Sequence, residues 1–172
     1  MELLLMDEAC KARYRDDILS MLTAADQDFV PPLSARFSPS QTDFSKTTLA
    51  HGVQTYFEDM CREQMLGAFE GEKLLGFVTF VENLVRPPVD TLPNLYICTL
   101  LVKPEARGKH LTKRMYEYLF DQLFPRHSLF TRTWSTNAAH IAILQSFGFA
   151  LLERIENDRG ANIDTVYFGK IR

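Results

Sequence analysis

Between Leu100 and Leu119 the chain reads LLVKPEARGKHLTKRMYEYL. An apolar run stops at Lys103-Pro104, and Arg107, Gly108, Lys109 and His110 crowd the turn before an amphipathic segment begins. A helix start carries unpaired backbone N–H groups and the positive end of the helix dipole, so it suits a phosphate. Gly108 removes a side chain where a ligand would approach the backbone. Arg107, Lys109 and Lys113 would add charge-assisted hydrogen bonds. This chemistry fits a pyrophosphate, while the charge pattern alone equally fits a solvated helix face. The run matches neither the GxxxxGK[ST] phosphate loop nor a dinucleotide fingerprint.

Other reactive residues are scattered. Cys10, Cys61 and Cys98 form no CxxC pair, and His51, His110, His127 and His140 make no metal-like cluster with them. No metal is therefore expected, and the odd cysteine count suits a reducing compartment. Cys98 lies in an apolar run and reads as a core residue rather than a nucleophile. Trp134 reads as core for the same reason.

The elements that must position these residues follow from pattern. ELLLM predicts a strand, and Asp7 would cap a helix through about Thr23, with Cys10, Tyr14, Ile18 and Leu22 on one stripe. DFVPPLSARFSPSQTDF is too proline-rich for a helix and too aromatic for a plain linker, so it could cover a pocket. Thr47 to Cys61 reads as helix. MLGAFE and LLGFVTFVEN form a hairpin around EGEK, with Gly71 in the turn. LYICTLLV is a continuous apolar strand of the kind buried on both faces. A helix over Arg107–Phe124, the strand SLFTRTWS, a helix from Asn137 to Phe147 and a closing strand pair complete the order. The strand–helix–strand crossover makes LYICTLLV and SLFTRTWS parallel neighbours. Ligands in such sheets sit beyond the C-terminal strand ends, where the basic turn and Thr136-Asn137 both fall.

Composition bounds the rest. The 172 residues are 46% hydrophobic with net charge −3, which suits one soluble domain, 1–172, and disfavours a nucleic-acid partner. No apolar run approaches the roughly 20 residues of a membrane helix, and the N-terminus lacks a signal-peptide pattern, so a cytoplasmic protein with no membrane partner is expected.

Two segments, in this order and about 25 residues apart, resemble the GNAT (Gcn5-related N-acetyltransferase) superfamily. LLVKPEARGKHLTKRMYEYL is similar to that family's strand-V-x-P-x-x-R-G-x-G-helix signature, and STNAAHIAILQSFGF to its N-x-x-A-x-x-x-Y-x-x-x-G-F segment. The resemblance, which runs from Met65 onward, implies an α/β fold. Its central sheet would be mixed and largely antiparallel, about seven strands flanked by helices, with one parallel pair splayed around the cofactor. It implies acetyl-CoA as cosubstrate, held by Leu101, Val102, Arg107, Gly108, Lys109, His110, Leu111, Thr112 and Asn137. It implies direct acetyl transfer to a primary amine of a small molecule or peptide, and by analogy a homodimer.

Two departures stand out. His110 and Thr112 occupy positions where the family places small residues. Leu144 stands where many members carry a tyrosine that protonates the leaving thiolate, and leucine has no proton to give. Solvent, Ser146, Ser135 or Tyr116 would have to substitute. LYICTLLV holds no acid, which leaves Glu82 as the candidate base, with Asp90 behind it. The oxyanion would meet a strand amide near Leu101 or Val102. Phe29, Arg36 and Phe37, with the VRPPVDTLPN loop, would select the substrate, Arg36 meeting a carboxylate if one is present. A non-catalytic acyl-CoA-binding module is the alternative, motivated by Leu144 and His110.

Overall fold

The computed structural model describes residues 1–44 and 52–172. Seven strands form one sheet in the order β1-β2-β3-β4-β5-β7-β6. They are β1 Glu2–Leu5, β2 Gln64–Glu70, β3 Lys73–Glu82, β4 Asn94–Val102, β5 Ser128–Trp134, β6 Ala150–Ile155 and β7 Thr165–Lys170. Every pairing is antiparallel except β4 with β5. The expected hairpin is β2–β3, and the crossover runs from β4 to β5.

Alternation along β3 sends Phe77 into one core and Val78 and Phe80 into another. The first core packs against α2 (Arg15–Ala24) and α3 (Val53–Met60), preceded by α1 (Glu8–Arg13). The second packs against α4 (Leu111–Glu117) and α5 (Ala138–Ser146). Leu111, Met115 and Leu119 are buried, as their spacing predicts.

Several boundaries differ from the sequence reading. The first helix is two helices that break at Tyr14, whose ring packs 5.0 Å from Phe69. Asp16 and Asp17 then sit in the first turn of α2, where acids favour the helix dipole. Asp7 does cap α1, accepting from the Cys10 amide at 2.8 Å. The helix after the basic turn starts at Leu111, not Arg107, and closes as a wider π-turn over Tyr118–Leu123. The predicted Thr47–Cys61 helix is described only from Val53, because residues 45–51 lie outside the described set.

The two parallel strands do not stay together. Asn94–Ile97 pair with Ser128–Thr131, and no pairing joins the later halves. An irregularity in the β3–β4 ladder accompanies the parting: Thr79 faces Thr99 but Phe80 faces Ile97, so Cys98 is an extra residue on β4. Such a bulge bends its strand and increases local twist. Close approach holds β3 against the bent end, since a Cβ on Gly76 would lie 2.8 Å from the Leu101 carbonyl oxygen.

Candidate active site

The bulge decides which backbone groups face the gap. Before it, the Pro93 carbonyl accepts from Ser128 (2.9 Å) and the Asn94 carbonyl from Asn83 (2.9 Å), so odd positions face β5 and even positions face β3. After it, the Lys103 amide donates to Leu75 at 2.9 Å, and odd positions now face β3. The two-residue repeat carries that pairing back through Leu101 opposite Phe77. The Thr99 amide also turns to β3, donating to Thr79 Oγ1 at 3.2 Å. The amides of Leu100 and Val102 therefore point into the gap, and that of Leu101 does not. The Val102 carbonyl confirms the direction by accepting from Arg107 Nε at 3.4 Å. Of the two expected oxyanion donors, the Val102 amide faces the gap and the Leu101 amide does not, because an extra residue reverses the strand's facing.

A cleft of about 410 Å³ fills the gap. Thr112, Asn137, His140 and Ile143 wall it on the α4–α5 side, and Phe29, Arg36, Trp134 and Arg159 wall it on the other. Leu100, Leu101, Val102, Cys98, Thr131 and Thr133 line the passage between. The cleft thus opens toward both faces of the sheet. A smaller cavity of about 320 Å³ adjoins it beside α2 and shares Asp28, Leu101, Val102 and Arg107.

The basic turn sits at the mouth. Gly108 (φ 75°) and His110 (φ 56°) are both left-handed, which explains why a glycine would suit position 110. The His110 ring, Gly108 and Lys109 are exposed, while Leu111 is core rather than cleft wall. Arg107 lines the cleft and meets Asp28 at 3.3 Å, an exposed pair of little energetic weight. Asn137 caps α5: its side chain accepts from the His140 amide at 3.4 Å and donates to Thr133 Oγ1 at 3.0 Å.

Glu82 is at the wrong end. It pairs with Leu95 at the start of β4, accepts from Gln64 at 2.6 Å, and is absent from the cleft wall. Sequence reasoning missed Glu63, which precedes β2 and is 9% exposed. Burial pushes its carboxyl up to about 7, against hydrogen bonds from Thr79 and Cys98 that pull it down. Its Oε2 is buried without a hydrogen-bond partner among the described residues. Cys98, which touches it, lines the cleft, so Glu63 stands one side chain behind the wall. Burial also pushes the Cys98 thiol well above its usual range, which keeps it protonated and a poor nucleophile.

The substitute acids fare poorly. Tyr116 Oη is buried 2.8 Å from His140 Nε2, and burial pushes its ionisation up. Ser146 donates to the Ile143 carbonyl at 2.7 Å, and Ser135 accepts from the Asp164 amide at 3.0 Å. None of the three lines the cleft. Leu144 is fully buried in the core.

Of the proposed substrate contacts, Phe29 and Arg36 line the cleft, but Phe37 is 52% exposed and lies outside it. Trp134 takes that place, 5.7 Å from Phe29, and so is a wall residue rather than core. The VRPPVDTLPN loop does not reach the cleft; Arg86 braces the first loop instead, donating to the Ser40 carbonyl at 2.5 Å. Among the described residues no cluster of His, Cys, Asp or Glu could hold a metal, and no helix is long and apolar enough to cross a membrane.

The sequence model of the Acetyltransferase (GNAT) family matches residues 33–149. No curated protein matches. Solved structures share the fold. Ribosomal-protein-alanine N-acetyltransferase from Brucella melitensis is 18% identical with a TM-score of 0.68, each chain covered 100%. An N-acetyltransferase from Staphylococcus aureus Mu50 is 18% identical at 0.67, with 99% of each covered. YncA from Salmonella typhimurium, solved with its cofactor acetyl-CoA, is 17% identical at 0.65, covering 99% of this chain and 93% of that one.

Proposed function

We propose that this chain, which belongs to the Acetyltransferase (GNAT) family, transfers an acetyl group from acetyl-CoA to a primary amine by direct attack. One observation carries the reading: the cleft passes between β4 and β5, with the Leu100 and Val102 amides turned into it. That arrangement suits a donor arriving from the α4–α5 side and an acceptor from the other.

Acetyl-CoA would supply the activated thioester. The amides of the Arg107–Thr112 turn, with the Arg107 and Lys109 side chains, would hold its pyrophosphate, and Asn137 would border its pantetheine arm. The Leu100 amide would donate to the carbonyl oxygen as negative charge develops there. An amine attacks only as the free base, so its proton must leave. Glu63 would take it through a water beside Cys98. A carboxyl near 7 is matched to that task. No side chain is assigned to protonate the departing thiolate, whose reference pKa near 8.5 makes it a fair leaving group in water.

Thiol release over an amine panel, with Glu63→Gln beside wild type, tests this. Release that needs both acetyl-CoA and an amine supports it. Binding of acetyl-CoA with no release for any amine would leave the acyl-CoA-binding module, which the buried Leu144 favours.

A further inference from the structure

Three arginines meet on the acceptor side of the cleft. Arg36, Arg132 and Arg159 all line it, and their guanidinium carbons lie 5.4, 5.0 and 4.5 Å from the centre of one ring, Phe44. Arg36 Nη2 and Arg159 Nη1 share the Val30 carbonyl, at 3.0 and 2.8 Å. Arg36 and Arg159 are only 6% and 7% exposed.

Burying like charges together is costly, and proteins normally answer with an acid. Here none answers. Among the described residues no carboxylate makes an ion pair with any of the three. Residues 45–51, SKTTLAH, contain no Asp or Glu. Asp26 acts on Arg36 only at a distance and is held by Ser34; Asp158 acts on Arg159 and is held by Thr165. Burial and mutual repulsion pull Arg36 to about 10 and Arg159 to about 9, which still leaves both charged at neutral pH.

Holding the proline-rich loop explains part of the cluster. Arg36 donates to Pro31 and Val30, Arg159 to Thr165 and Val30, and Arg132 to Tyr167, Pro39 and Gln41. It does not use every donor. A guanidinium has five N–H groups. Arg36 lies beside the Tyr56 hydroxyl, while Arg159 Nη2 bonds to no described residue and is not sealed inside protein.

We propose that the acceptor amine also carries an anionic oxygen group, carboxylate or phosphate-like, and that Arg36, Arg132 and Arg159 bind it. The word acceptor rests on the acetyl-transfer reading; the anion site does not. A planar fork pairs with two oxygens at once, so Arg159 Nη2 provides the directional contact, with Arg36 beside it. Arg132 adds charge. A bound anion would replace the acid that the cluster lacks.

Trp134 is the only tryptophan and sits 5.9 Å from the Arg159 guanidinium, which makes its fluorescence the reporter. The full chain is titrated with succinate and with inorganic phosphate, without any acyl-CoA. Saturable emission changes are expected for at least one, weakened at least about tenfold in Arg159→Met and in Arg36→Gln, the loss of one charge-assisted contact. In thiol-release assays, amino acids are compared with their carboxamides. The carboxylate should be preferred at least about tenfold in kcat/KM for the same reason. That comparison uses wild type alone and stands even if a variant fails to fold. Phosphate in preference to succinate would assign a phosphate-like group; the reverse would assign a carboxylate. No response to either anion, or carboxamides used as well as acids, overturns the proposal. Anion binding unchanged in folded arginine variants overturns it too. Acetyl-CoA is titrated separately: binding of acetyl-CoA without anion binding sinks only this inference, and anion binding without acetyl-CoA binding sinks only the transferase reading.

Discussion

Tyr116 Oη and His140 Nε2 face each other at 2.8 Å where α4 meets α5, one helical turn from Leu144. Burial holds His140 down to about 4, so the ring is neutral at pH 7 and can accept the tyrosine's proton in a hydrogen bond. His140→Ala leaves a buried hydroxyl without its partner, and should cost about 1–3 kcal/mol of stability. In a Tyr116→Phe background the same change should cost less. Chemical denaturation of the four proteins of this cycle measures the coupling. The sign with pH is also fixed. The folded value lies below the ordinary 6.5, so the unfolded chain binds more protons between the two. This contribution to stability is complete above 6.5 and is lost as pH falls toward 4.

Leu144→Tyr restores the family's usual residue but should not restore a working acid. Leu144 is fully buried in the core that also holds Tyr116, Phe120 and Phe149, so a phenol would have to displace its neighbours. Overpacking should cost about 1–3 kcal/mol, read by thermal unfolding. Thiol-release rates should stay at or below wild type.

Glu63 carries the expected pH dependence of the reaction. As the proposed general base it must be ionised, so kcat/KM should rise with pH and level off above about 7. Glu63→Gln should lower kcat by about 10²–10⁴-fold and remove that limb of the profile. Stability runs the other way. A carboxyl raised from 4.5 to about 7 keeps its proton longer when folded, so stability is greatest below 4.5 and falls as pH rises to 7. The glutamine variant should therefore unfold at a higher temperature than wild type at pH 8. A residue that only packs would leave the rate profile unmoved.

His110→Gly should stabilise the protein. The residue holds φ 56°, where a Cβ is strained and glycine is not. Because the imidazole is exposed, little packing is lost. The gain should be about 0.5–1 kcal/mol, visible as a higher Tm.

Strands and hairpin were legible in the sequence because alternation and the turn glycine report local structure. The basic turn and the α5 cap were legible because their chemistry is contiguous. The bulge at Cys98 was not, since a single extra residue in an apolar run leaves no pattern; it turns the Leu101 amide away from the gap and those of Leu100 and Val102 toward it. Glu63 was hidden for another reason. Its carboxyl is elevated by burial among strands that meet only in the fold, against Thr79 and Cys98, which pull it down. Arg36, Arg132 and Arg159 are far apart in sequence, and only the shared Phe44 ring and Val30 carbonyl join them. Tyr14 breaks a helix that the apolar stripe makes continuous, and Asp16 and Asp17 fall in the first turn of the second helix.

Calorimetric titration of the purified chain with acetyl-CoA, with Arg107→Ala/Lys109→Ala alongside, tests the central claim most directly. The account predicts saturable one-to-one binding that weakens in the double variant while its Tm stays near that of wild type, since both side chains are exposed. Failure of the folded wild-type protein to bind acetyl-CoA would contradict it, and the basic turn would then be a solvated helix start.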